Sequence, residues 1–145
     1  MALSPDPLNL EGLPAQALLL IDTPPIIYQL DGDPRFGPRF RPLFEAHAAG
    51  RLAFAVTTVT LAEVLTGPLA AGDEALARRY RAVLESWRVV PLDADIAETA
   101  ARLRATLGLK LPDAVQAASA LAVNAAALVT HDRDFDRLSA LRVIR

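Results

Sequence analysis

The chain's 145 residues suit one domain with a single core, and a hydrophobic content of 52% can form that core without covalent staples. The absence of cysteine excludes a disulfide framework, a thiolate metal site and a cysteine nucleophile. A net charge of −2 excludes any general attraction to nucleic acid.

The opening stretch, MALSPDPLNLEGLP, lacks the basic segment followed by an apolar one that marks a secretory signal. Residues 1–15 are expected to form a lead-in, partly disordered, and residues 16–145 a single domain. No apolar run approaches the roughly 20 residues needed to span a bilayer. Together with the missing cysteines, this fits a cytoplasmic protein. Short apolar runs predict buried strands at 17–22, 52–56, 87–92, 126–130 and 141–144. Helical stretches fall between them. PIIYQLDG ends at Gly32. Pro42 is expected near the start of a helix that closes at Gly50. TVTLAEVLTG is expected to stop at Gly67. DEALARRYRAVLESW opens with acids, as the helix dipole prefers. DADIAETAARLRATLG places Ile96, Ala100, Leu103 and Leu107 on one face. LPDAVQAASALAVNA has Pro112 in its first turn and enough alanine to approach a sheet closely. Alternation of buried strands with helices predicts a three-layer α/β/α fold around a mainly parallel sheet of about five strands. Ligands of such folds sit beyond the carboxyl ends of the strands.

The acidic residues each have an ordinary structural explanation. Asp22 closes the apolar run LLLID, where it or Thr23 can cap the helix that Pro24 opens. Glu63 follows Thr60 in the spacing of a capping box, or shares a polar stripe with it. Asp113 in a first helical turn compensates the dipole. Asp132 or Asp134 can cap a short helix after the strand that ends near Thr130, and His131 reads as a loop residue. Their joint placement says more. Asp22 and Asp132 follow strands, while Glu63 and Asp113 sit near helix starts, and in a right-handed parallel fold these positions share one rim. Carboxylates roughly 5 Å apart repel by about 3 kcal/mol per pair at an effective dielectric of 20. A multivalent cation is needed to keep all four ionised, and oxygen-only ligands select a hard ion such as Mg²⁺ or Mn²⁺.

Four blocks, LLLIDTPPIIYQLDGDPRF, TTVTLAEVLTGP, LKLPDAVQAASA and LVTHDRDF, carry a resemblance. In that order they resemble the PIN-domain ribonucleases, above all the small VapC-type toxins of bacteria and archaea, from about residue 17 onward. The resemblance implies a metal-dependent endoribonuclease whose catalytic, metal-binding acids correspond to Asp22, Glu63, Asp113 and Asp132, with Asp134 as an accessory ligand. Asp22 and Asp113 would be the central ligands of Mg²⁺ or Mn²⁺. Glu63 and Asp132 would complete a second metal position or orient the attacking water, and Thr23 and Thr130 would hold the carboxylates in place. It also implies an RNA substrate, a cognate antitoxin, a homodimer and no membrane association. The region around Ile26, Ile27, Tyr28, Phe36, Phe40 and Phe44 would serve dimerisation or antitoxin binding, or else simply fill the core. One departure stands out: Pro24 and Pro25 occupy positions where relatives often carry a polar residue.

Cations for RNA are sought at Arg102, Arg104, Lys110 and Arg133, each of which also reads as plain solvated surface. Fourteen arginines against one lysine suit phosphate recognition, although genomic base composition explains the same bias. Other strand-end aspartate enzymes fit poorly. A phosphatase of the HAD type needs Asp-x-Asp where this chain has Asp22-Thr23-Pro24, and no Gly-x-x-x-x-Gly-Lys-Ser/Thr loop is present. The alternative of a catalytically silent PIN-like module that binds RNA or protein remains open at this stage.

Overall fold

Five strands, Ala17–Ile21 (β1), Leu52–Thr57 (β2), Arg88–Val90 (β3), Ala127–Val129 (β4) and Val143–Ile144 (β5), form one sheet in the order β3-β2-β1-β4-β5, every pair parallel. This is a computed structural model, and it describes residues 6–145. Six helices cover the sheet: Thr23–Asp31 (α1), Gly37–Ala48 (α2), Thr58–Ala70 (α3), Glu74–Glu85 (α4), Ala94–Leu107 (α5) and Leu111–Ala122 (α6). A turn of 3-10 helix spans Arg133–Arg137. The expected three-layer α/β/α architecture with five parallel strands is what forms, each strand trimmed or extended by a residue or two at its ends.

The pleat divides the core. Leu19, Ile21, Phe54, Val56 and Val129 join Ile26 of α1, Phe40 and Leu43 of α2, Val64 of α3 and Leu84 of α4. Leu20 and Leu128 point the other way, against Ala117 and Ala120 of α6. Residues Ala114 to Ala120 of α6 are all buried, five of these seven being alanine or valine without long polar tips. Small side chains bring this helix close to β1 and β4, and that closeness places Asp113 and Gln116 at the sheet's carboxyl edge. Among the described residues, no helix is long and apolar enough to cross a membrane.

Two helix boundaries depart from expectation. Helix α2 starts at Gly37 rather than near Pro42, which lies inside it. The Asp33 carboxylate accepts the amides of Arg35 and Phe36, and Gly37 N–H bonds to the Asp33 carbonyl, so the first turn is nucleated upstream. Pro42 then forfeits one hydrogen bond early in the helix while fully buried Phe40 and Leu43 anchor it. Helix α3 likewise runs past Gly67 to Ala70, with Pro68 buried in the packing that holds it.

Of the lead-in, residues 6–15 lie against the domain. Leu8 is buried and its amide bonds to the Arg39 carbonyl, while Leu10 and Leu13 pack on the core. Residues 1–5 lie outside the described residues.

Candidate functional site

Asp22, Thr23, Glu63, Asp113, Gln116 and Asp132 line one cavity of about 320 Å³, together with Pro24, Ile27, Tyr28 and Pro112. The side chains arrive from four directions. Asp22 follows β1 and Asp132 lies just beyond β4, whereas Glu63 and Asp113 project from α3 and α6. Helical spacing sets Thr60 beside Glu63 and Asp113 beside Gln116, each pair three residues apart.

Asp22 is 6% exposed, and both its oxygens are engaged. Oδ1 accepts from Thr23 N at 2.9 Å and from Gln116 Nε2 at 2.9 Å; Oδ2 accepts from Thr130 Oγ1 at 2.8 Å. The cap and the buried carboxylate are therefore one residue in one conformation. Pro24 and Pro25 sit in the first turn of α1, where two amides without partners are replaced by rings at no loss. Each carboxylate oxygen offers two lone pairs. Oδ1 has used both, and Oδ2 keeps one.

A directed chain of hydrogen bonds runs behind Asp22. The Thr57 hydroxyl donates to Gln116 Oε1 at 2.6 Å, which fixes the orientation of the amide. Gln116 Nε2 also donates to Thr60 Oγ1 at 2.8 Å. Thr23 Oγ1 donates to Glu63 Oε1 at 3.0 Å, so in the 2.9 Å contact between the two threonines Thr60 must be the donor. Thr57 caps α3 by accepting the Thr60 amide; Thr60 is not the cap, and the capping-box reading of Glu63 does not hold. Glu63 instead takes its only side-chain hydrogen bond among the described residues from Thr23.

On the other side of the cavity, Asp113, Asp132 and Asp134 each offer a carboxylate oxygen within 4.8 Å of the others. Asp132 caps the 3-10 turn by accepting the Asp134 amide at 2.8 Å, and its own amide bonds to Thr130 Oγ1. The Asp113 carboxyl is pushed up to about 6, first by burial and then by the charges of Asp22, Asp132 and Asp134, with Lys110 pulling the other way. Three acids in mutual contact, one of them reluctant to ionise, make a set of hard oxygen donors that a divalent cation satisfies. The donor set fits Mg²⁺ or Mn²⁺ and lacks the nitrogen or sulfur that would favour a softer ion.

The sequence reading singled out Asp22, Glu63, Asp113 and Asp132, and all four meet in this cavity. It ranked Asp134 as accessory; Asp134 groups with Asp113 and Asp132. Asp22 stands outside that group of three, held by its own donors. Gln116 and Thr57 went unnoticed, and Thr60 was singled out only beside Glu63; the one available signal for Gln116 was a glutamine inside the otherwise small and apolar run AVQAASA. Of the aromatic and aliphatic set, Ile26 and Phe40 are wholly buried core. Phe44 packs edge-on against Phe54, and Tyr28 and Phe36 pack on His131. Arg102 is exposed and pairs with Glu98.

Comparison with known proteins identifies the family and the fold. The PIN-domain family model matches residues 19–141. No curated protein matches the chain. Among solved structures, a toxin–antitoxin complex from Klebsiella pneumoniae is similar at 27% identity and a TM-score of 0.68, over 88% of this chain and 96% of that one. VapBC-5 of Mycobacterium tuberculosis, from the VapBC family of toxin–antitoxin systems, reaches 30% identity with a TM-score of 0.58, over 89% and 98%. The sarcin–ricin loop cleaving toxin VapC20 of the same organism shares the fold at 20% identity and a TM-score of 0.67, over 88% and 99%. The chain therefore belongs to the PIN-domain nuclease family, in its VapC-type toxin–antitoxin branch.

Proposed function

We propose that this chain is a cytoplasmic endoribonuclease dependent on Mg²⁺ or Mn²⁺, and the toxin of a toxin–antitoxin pair. The observation that carries the reading is the gathering of Asp113, Asp132 and Asp134 around one point, beside a buried Asp22 with one lone pair to spare. Asp113, Asp132 and Asp134 would hold the ion, with Asp22 Oδ2 as a further ligand. Once bound, the ion supplies Lewis acidity toward a phosphodiester and makes hydroxide available near neutral pH. The chain's own residues do the positioning. Gln116, Thr130 and the Thr23 amide fix the Asp22 carboxylate in one rotamer. Glu63, exposed and steadied by Thr23, would accept a proton from the attacking water.

One neighbouring structure is a toxin–antitoxin complex and others are of VapBC pairs, and this supports a protein antitoxin as partner. VapC20, a sarcin–ricin loop cleaving toxin, supports RNA as substrate. A homodimer is part of the same proposal. Leu92 and Leu111, 46% and 53% exposed, edge an apolar depression with Val59, Ala97 and Val115 that suits a second copy of this chain.

The test is cleavage of single-stranded RNA with and without Mg²⁺ or Mn²⁺. Asp22→Asn and Asp113→Asn should each lose at least about a hundredfold in rate. Equal cleavage by both variants would assign the activity to a contaminant and leave a binding module.

A further inference from the structure

Beside the acidic cavity lies another of opposite character. It encloses about 290 Å³ and is lined by Arg39, His131, Arg133 and Arg145 alone. Arg39 and Arg145 continue into an adjoining depression that Arg142 also lines. In a chain of net charge −2, this concentration of guanidinium groups is local. Among the described residues only Arg145 of the four pocket residues has a carboxylate partner, Asp136 at 3.0 Å. The Arg39 guanidinium donates to main-chain oxygens of Asp6 and Arg145. Arg133 is exposed and forms no ion pair among the described residues. Arg39 and Arg133 have no side-chain carboxylate partner among the described residues, so the pocket favours an anion, and planar guanidinium forks suit phosphate oxygens.

The wall between the two cavities is built, not accidental. His131 lines the basic pocket and its chain neighbour Asp132 lines the acidic one. Tyr28 lines the acidic cavity, and its hydroxyl bonds to His131 Nδ1 at 2.8 Å. Tyr28, Phe36 and Phe40 surround the imidazole with ring centroids 5.5, 4.7 and 5.6 Å away, so it cannot swing aside. In the tautomer whose Nδ1 accepts from the Tyr28 phenol, Nε2–H is left as a donor for the pocket.

We infer that Arg39, His131, Arg133 and Arg145 form a backbone-phosphate subsite, which holds the RNA phosphodiester adjoining the one that reaches the acids. The inference rests on RNA being the substrate, and it gives the strand a direction: across the Tyr28–His131 wall, from cation site to anion site.

Two measurements test it, both on the full chain without divalent ions. Inorganic phosphate is titrated while the ring nitrogens of His131 are followed by NMR, with His47, the only other histidine, as internal reference. Binding of a labelled single-stranded RNA oligonucleotide is followed by fluorescence anisotropy at several salt concentrations. Phosphate should shift the His131 resonances and not those of His47, and should compete with the RNA. Arg133→Ala should weaken RNA binding about tenfold and reduce the salt slope by about 0.7 to 1, whereas Arg133→Lys should restore the slope. Arg81→Ala, on the exposed face of α4, should do neither. Unchanged affinity and slope in Arg133→Ala would overturn the inference. So would phosphate that shifts His131 but fails to compete with RNA, because the pocket would then serve an acidic protein segment. The catalytic reading fails on a different result, the absence of Mg²⁺- or Mn²⁺-dependent cleavage by the unaltered chain.

Discussion

The two sides of the acidic cavity are built on opposite plans. Around Asp22, three donors converge on a buried carboxylate, and a line of threonines and an amide leads away to Glu63. Around Asp113, Asp132 and Asp134, negative charges face one another, and the nearest cation to act on Asp113 is Lys110. One side is complete as it stands. The other is complete only with a cation. Preorganised donors hold a ligand in position at no cost when the ion arrives, while uncompensated acids supply the affinity for it. The difference makes a sharp demand: the same chemical change should have opposite consequences on the two sides.

The largest effect is expected where the finished side is broken. Gln116→Leu fills similar volume but strips Asp22 Oδ1 of a donor, the Thr57 hydroxyl of its acceptor and Thr60 of a partner. A loss of about 3 kcal/mol and a fall in Tm of roughly 10 °C should follow, read by thermal unfolding without metal. If Gln116→Leu melts with the unaltered chain, the network is not a source of rigidity. Next come two matched substitutions. Asp22→Asn puts an amide group where Thr130 now donates, and should destabilise by about 1–2 kcal/mol. Asp113→Asn removes one charge from a repelling group, and should stabilise the metal-free protein by about 1 kcal/mol. Denaturant unfolding of the pair checks the contrast, and equal signs would erase it.

Much of this was readable from the chain alone, for a physical reason. The run LLLID announces a buried strand by its apolar residues, and the carboxyl edge of a parallel sheet is where strand-end acids collect. Four acids at separate positions could thus be assigned to one rim before any coordinates. What could not be read was which acids touch. Asp132 and Asp134 are brought level with Asp113 by the 3-10 turn that Asp132 itself caps, a local geometry with no period to detect. Gln116 was missed because a buried polar residue reveals its purpose only through partners that lie 59 and 94 residues away. The start of α2 and the stop of α3 were misplaced for the converse reason. Pro42 and Pro68 are local breakers, and tertiary packing of Phe40, Leu43 and Val64 overrode them.

The subtlest consequence concerns pH. Asp113 has a folded-state value of about 6 against 3.8 for the free group, so between these limits the folded protein binds more protons than the unfolded one. Its contribution to stability is therefore greatest below about pH 4, declines as pH rises through 6, and is level above that. Other carboxylates follow their own course, so the effect is read as the difference between the unaltered chain and Asp113→Asn, whose stabilities should draw together as pH falls from 7 to 4.5. A divalent ion competes with the same proton. At ten times its dissociation constant it adds about 1.4 kcal/mol at pH 7.5, and that gain should fade as pH falls through 6. In Asp113→Asn the gain should be small at every pH. A Mg²⁺ or Mn²⁺ stabilisation that persists unchanged at pH 4.5, or in Asp113→Asn, would place the ion elsewhere. The unfinished side of the cavity would then owe its repulsion to something other than readiness for a metal.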